Sequence, residues 1–345
     1  MISDQDETET SVTDGKMPAV SRRRRAIEIV GFLLGLGVLA WLVMIAIRDG
    51  DWRRVVEADP YLLAGLLGCT IISAILNGAT FWATIRPIRR IGFFELQGVN
   101  LVATMLNYAP VRLGMISRFA WHMRVDGLRF LDVVAWFASV LVLIATAIMV
   151  FGVATAIVPD VGPGWWFLVV LGVLVAGASL SLVPRIAWIR RHGRGADRIL
   201  ESPFARWIGL LLRMLDVGTY AGRIAFSLAI LGIEMSPSHI ILLAVVALVT
   251  NLLPIGRFGF RELAVAWTAS RLGSDSVVDV PWEQLALVES GAELLIYLPL
   301  GILCAPWFAI GLRRGALKRG TATGQERSSS APDVESENEE HQRDR

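Results

Sequence analysis

Apolar residues run in long blocks along this chain and do not alternate with polar ones. Residues 29–47, 61–85, 133–158 and 161–183 carry no charge at all. An α-helix needs about 20 apolar residues to cross a hydrocarbon core, so each block predicts a membrane span. Two more spans follow over 217–233 and 282–310. Two other regions, 93–129 and 239–272, are apolar but broken by Pro, Gly and Arg, and neither half of either is long enough to cross. Each reads as a pair of half-helices that enters the membrane and returns to the same side. The predicted fold class is an all-α polytopic membrane protein. It has about six full transmembrane helices and two oppositely oriented re-entrant helix pairs that form an inverted repeat.

Charge fixes the expected orientation. The run Arg22 to Arg25 abuts the first span, Arg86, Arg89 and Arg90 follow the second, and residues 185–206 hold six Arg against two acids. Under the positive-inside rule these ends face the cytoplasm. Residues 1–21 and 316–345 are then polar, disordered cytoplasmic tails around a single transmembrane domain, 22–315. The segment "RWIGLLLRMLDVG" is amphipathic and predicts an interfacial helix before the fifth span. Arg213, Asp216 and Arg223 would there snorkel to headgroups. Trp121, Trp165, Trp166 and Trp282 fit an aromatic belt, and His122 reads as merely hydrogen-bonded.

Composition agrees: 54% of the 345 residues are hydrophobic and 19% charged, against roughly 25% charged in a soluble domain. Cys69 and Cys304 lie inside apolar runs, with no pairing pattern or metal spacing. There is no phosphate-loop, dinucleotide, metal-cluster or nucleophile-elbow motif, so no cofactor, metal or catalytic residue is predicted. The basic runs beside spans set orientation and meet anionic lipid, and nothing points to nucleic acid.

The broken regions carry the candidate chemistry. "LNYAPVRLGMISR" holds Asn107, Pro110, Arg112, Gly114 and Arg118, and "TNLLPIGRFGFRE" holds Asn251, Pro254, Gly256, Arg257, Gly259, Arg261 and Glu262. Both read Asn-x-x-Pro, then Arg-x-Gly, then another Arg. Pro halts a helix, Gly permits a reversal, and the next half-helix presents unpaired N–H groups at a positive dipole end. Such an end flanked by Arg suits a phosphate. Inverted broken helices in matching positions mark the central site of a transporter. Glu262 sits where the dipole stabilises a carboxylate.

Glu289 and Glu293 share one face of the last span, with Glu293 roughly 15 Å below its start. An intramembrane carboxylate calls for a partner, and Arg257, Arg261, Arg112 and Arg118 are the available ones. Two roles compete for this pair: an ion pair that fixes the broken segments, or proton acceptors coupled to transport.

The two motifs resemble the paired signatures of the lysylphosphatidylglycerol synthase transmembrane-region family, over about residues 25–315. That resemblance implies an all-helical fold with re-entrant segments and a role in handling membrane lipids. Pro110, Arg112, Gly114 and Arg118 fall on its first signature; Pro254, Gly256, Gly259, Arg261 and Glu262 fall on its second. This chain departs from the pattern at Met115, where the family has an acid, at Arg257, where it has a second Gly, and at Glu293, where it often has Arg. The expectation is a flippase-like, non-enzymatic protein of the cell membrane that binds an anionic phospholipid or lipid-linked substrate. A separate lipid-modifying enzyme is the expected partner. A membrane-embedded headgroup transferase and an accessory subunit are the alternatives.

Overall fold

The computed structural model describes residues 22–108, 113–185, 196–252, 259–272 and 282–329, and among these every regular element is helical. Five helices are long and apolar enough to span a membrane: α3 (Pro60–Ile85), α6 (Phe130–Ile157), α7 (Pro163–Leu180, prolonged by a turn at Val183–Arg185), α9 (Pro203–Leu231) and α12 (Trp282–Ser329). The first helix, α1 (Arg22–Asp49), contains the apolar block 29–47 within its 28 residues. Short α2 (Trp52–Val56) and α8 (Ala196–Glu201) lie in connections. The broken regions fold as two short pairs, α4 (Phe93–Leu106) with α5 (Leu113–Arg124), and α10 (Pro237–Leu252) with α11 (Phe260–Leu272). At 12 to 16 residues, none of these four could cross a bilayer alone.

The chain therefore repeats long, short, short, long: α3–α6, then α9–α12. In both halves the first short helix packs on the last long helix of the other half, α4 on α12 and α10 on α6. Contacts along α12 place the two short pairs toward opposite ends of that helix. A side chain at Gly98 would meet Trp307, and Met105 lies against Gly301. α5 then returns, with Trp121 stacked on Phe308 at 4.9 Å and the Arg124 backbone beside Gly315. This pair thus enters from the late end of α12. The other end holds the start of α12, where Gln284 donates to the Asp51 carbonyl (3.1 Å), and the end of α9, where Arg54 donates to the Leu231 carbonyl (2.6 Å). α10 starts from that second end, and α11 returns to it, placing Ala269 and Leu272 in one cluster with Leu285 and Trp282.

α3 and α9 cross at the centre with the most extensive contact in the molecule. Small residues allow it: a Cβ on Gly65 would fall 2.5 Å from the Phe226 ring, and one on Gly222 3.0 Å from the Cys69 sulfur. Close approach through small residues is how helices pack where lipid removes the hydrophobic drive. The outer surface is correspondingly oily, with Leu33, Met44, Met149, Ile157, Phe167 and Leu303 all exposed. Hydrocarbon is the solvent that accepts such a surface.

Two expectations change. Residues 206–218 are not a separate interfacial helix. α9 is continuous from Pro203, capped by Ser202, whose hydroxyl accepts from the Ala205 N–H, and it ends at Gly232 with φ +69°. Its early turns are thereby buried, and Arg213, Asp216 and Arg223 are inside the protein instead of snorkelling. Trp121 and Trp165 are each only 1% exposed, so they pack the interior and not an interfacial belt. α12 runs from Trp282 to Ser329.

Gly311 faces the Trp121 ring so closely that an added methyl would fall 2.6 Å from its Cζ3 atom. Gly311→Ala is expected to cost about 1 kcal/mol through overpacking, read as a lower unfolding temperature in detergent.

Candidate functional site

The ends of α4 and α10 line one cavity of about 250 Å³. Asn107, which caps α4, and Asn251, at the end of α10, both line it. These are the matching asparagines of the two Asn-x-x-Pro motifs. Arg118 of α5 lines it as well, together with Ser73 and Asn77 of α3 and Arg213, Asp216 and Tyr220 of α9.

A hydrogen-bonded strip runs along one wall. Asp216 accepts from Ser73 Oγ (2.6 Å) and from Arg213 (3.0 Å), and Arg213 also donates to Asn77 Oδ1 (2.8 Å). Asn77 reaches Asn100 at 3.5 Å, and Arg118 donates to Asn100 Oδ1 and to Thr104 Oγ1 (3.4 Å) while lying 4.9 Å over the Phe81 ring. Buried charge survives only when paired and hydrogen-bonded, and the Arg213–Asp216 pair meets that condition.

Gly114 and Gly259 occupy matching motif positions but serve different needs. Gly114 lies within α5, packed against the Ala103 carbonyl and the Asn107 side chain of α4, so it is required for close approach and not for reversal. Gly259 has φ +81°, a conformation that favours glycine. It precedes α11, and its N–H donates to Glu262 Oε2 (2.8 Å), one half of a capping box.

Beyond the tip of the second pair lies a dense ion network. Arg261 donates to Glu293 (2.5 Å), Glu289 (2.9 Å) and Ser290 Oγ (2.5 Å). Ser290 donates onward to Glu262 (2.5 Å). Arg223 of α9 pairs with Glu289 and with Glu293 (3.3 Å), and it stacks 4.5 Å over the Tyr220 ring. The Tyr220 hydroxyl accepts from Asn251 (3.1 Å), which joins this network to the cavity. All five charged groups are at most 5% exposed.

Of the predicted site residues, Asn107, Arg118 and Asn251 meet in the cavity, and Arg261, Glu262, Glu289 and Glu293 meet in the ion network. Pro110, Arg112, Pro254, Gly256 and Arg257 lie outside the described residues. Sequence reasoning missed Arg223, Arg213, Asp216 and Tyr220. The available signal was spacing: 213, 216, 220 and 223 fall on one helix face once a single helix is read from Pro203. His122, as expected, is hydrogen-bonded, its Nδ1 lying 2.6 Å from Asp126.

Residues 29–281 match the family described as the Lysylphosphatidylglycerol synthase TM region, well over half of the chain. The chain belongs to this family. It is a multi-pass membrane protein, and its family match runs from within α1 through α11 and stops just before α12. Glu289 and Glu293 therefore lie beyond the matched span, although they hold Arg261 within it. Comparison with curated proteins and with solved structures finds no match for the chain.

Proposed function

We propose that this family member is a flippase-like transporter for an anionic phospholipid or lipid-linked substrate. The polar cavity takes the headgroup, and Arg118 contacts its phosphate. The observation that carries this reading is the cavity itself, where the ends of α4 and α10 meet guanidinium, amide and hydroxyl groups in an otherwise apolar bundle. Intramembrane charge of this kind marks a substrate path, and broken helices in inverted halves place such a path between them. The chain moves the lipid without changing it, and any headgroup chemistry falls to a separate enzyme.

The end of the bundle carrying Arg86, Arg89, Arg90, Arg313 and Arg314 is strongly basic. Under the positive-inside rule that end is cytoplasmic, with both termini, in the cell membrane. The ion network around Arg261 has a second role here: it fastens the α10–α11 pair to α12 and α9.

Arg118→Gln is expected to slow headgroup translocation in proteoliposomes by about tenfold to a hundredfold, the scale of one charge-assisted hydrogen bond. Yield and unfolding temperature should stay near those of the parent protein. Translocation at the parental rate would remove the cavity from the transport path.

A further inference from the structure

We infer that Asp216 binds a proton during transport, and that this proton crosses the membrane together with the anionic headgroup. This rests on the transport reading above and gives it a coupling ion. Asp216 is the one carboxylate among the described residues that line the cavity. It answers to a single guanidinium, that of Arg213 at 3.0 Å. Glu289 and Glu293 do not line the cavity, and each is held by both Arg223 and Arg261. A proton therefore has least to displace at Asp216. The other charged and titratable groups lining the cavity, among the described residues, are Arg118 on α5, Tyr220 on α9 and Tyr297 on α12. There α3, α4 and α10 bring hydroxyls, amides and apolar groups, and α6 brings apolar side chains alone.

Both states of Asp216 are accommodated where it stands. Ionised, it accepts from Ser73 Oγ (2.6 Å) and from Arg213. Protonated, it would donate to the same Ser73 oxygen, because a hydroxyl both gives and takes hydrogen bonds. Ser73 must then turn its own hydrogen elsewhere, and its helix supplies the acceptor. Thr70, Thr80 and Thr84 of α3 already donate to the carbonyl four residues back, at 2.8, 2.9 and 2.7 Å. The Cys69 carbonyl stands in that relation to Ser73. Ser73 is the member of this series that instead reaches across to α9. A proton can thus come and go without leaving a buried group unpaired.

Headgroup and proton assist each other. Arg213 is committed to Asp216 and to Asn77 Oδ1 (2.8 Å), so a phosphate entering the cavity meets it in competition with Asp216. A cube of about 250 Å³ has an edge of only about 6 Å, and at that spacing two anions repel strongly. Protonation removes the rival charge and frees the Arg213 N–H that had gone to it. By linkage, whatever the proton adds to anion binding, the anion adds to proton binding. The two therefore enter from one side and leave on the other together. In each cycle one proton is taken from water on the entry side, held on the Asp216 carboxyl, and returned to water on the exit side.

The test uses the full chain in phosphatidylcholine vesicles that hold a trace of acyl-labelled phosphatidylglycerol, with the membrane potential clamped at zero. A step of one pH unit should shift the label toward the leaflet on the alkaline side, by up to about tenfold for one proton per lipid. Collapsing the step with a protonophore should return it. Asp216→Asn keeps the shape of the side chain but takes up no proton, so the distribution should ignore the step whatever rate remains. If the unpaired Arg213 charge unfolds that variant, Asp216→Asn with Arg213→Gln removes both charges and should give the same flat distribution. Asp216→Glu, still ionisable, should keep the shift. If the label crosses but ignores the step in the parent protein, proton coupling is wrong while the transport reading stands. A shift toward the acidic side would mean exchange instead of joint movement and would also overturn it. A shift that survives Asp216→Asn would place the proton on another group. If no label crosses faster than in protein-free vesicles, the transport reading falls, and this inference with it.

Discussion

Arg261→Ala should destabilise the protein by about 3–5 kcal/mol, the usual penalty for removing one partner of a buried ion pair. Arg261 bridges Glu289, Glu293 and Ser290, with Glu262 3.4 Å away, so its loss strips a cation from three buried carboxylates at once. Arg223 remains beside Glu289 and Glu293, but it already serves both. The measurement is the unfolding temperature and the monodisperse yield in detergent. Arg261→Met combined with Glu289→Gln removes one cation and one carboxylate, leaves Arg223 paired with Glu293, and should recover part of the lost stability. If Arg261→Ala proves as stable as the parent, the network is not what fastens α11 to α12. Because Arg261 holds the fold, lost transport in its alanine variant would not identify a headgroup contact. Arg118, at the cavity wall, is the cleaner probe.

Gly114→Val should be the most damaging single change in the first short pair. The added Cβ would collide with the Ala103 carbonyl oxygen and the Asn107 side chain. A backbone carbonyl inside a helix cannot swing aside, so the expected cost lies at or above the upper end of the usual overpacking range, about 3 kcal/mol. Relief would come from α5 moving away from α4, which carries Arg118 and Asn107 out of register with the cavity. Translocation should therefore fall to the protein-free level even in whatever fraction remains folded. Gly114→Ala, read the same way, should show an intermediate loss. Parental stability and transport in the valine variant would mean that the two helices are not held in this contact.

Much of this architecture is legible in the chain because the membrane imposes strict rules on length and charge. A block such as 133–158 can hardly be anything but a span, and the broken regions betray themselves by Asn, Pro and Gly at matching places. That Glu289 and Glu293 need an arginine partner is legible too, since intramembrane charges must find each other; that Arg261 serves both is not. What stays hidden depends on where a helix starts. Read from residue 217, α9 leaves Arg213 and Asp216 at an interface; read from Pro203, with its Ser202 cap, it carries them into the protein. The neutral members, Asn77, Asn100 and Ser73, give even less warning. They sit inside apolar helices, and only the α3–α9 crossing and the placement of α4 give them partners. Gly114 shows a further limit: a turn-forming residue and one that permits close packing look identical in sequence.

α9 runs unbroken from the cavity to the ion network. Arg213 and Asp216 stand at the cavity, Arg223 stands in the ion network, and no proline interrupts the helix between them. Ten residues of α-helix make a rod of about 15 Å that is stiff on the scale of a hydrogen bond. Under the proposed transport reading, a displacement of Arg213 is expected to reach Arg223 and its pairing with Glu289 and Glu293. Cavity and anchor are two ends of one lever.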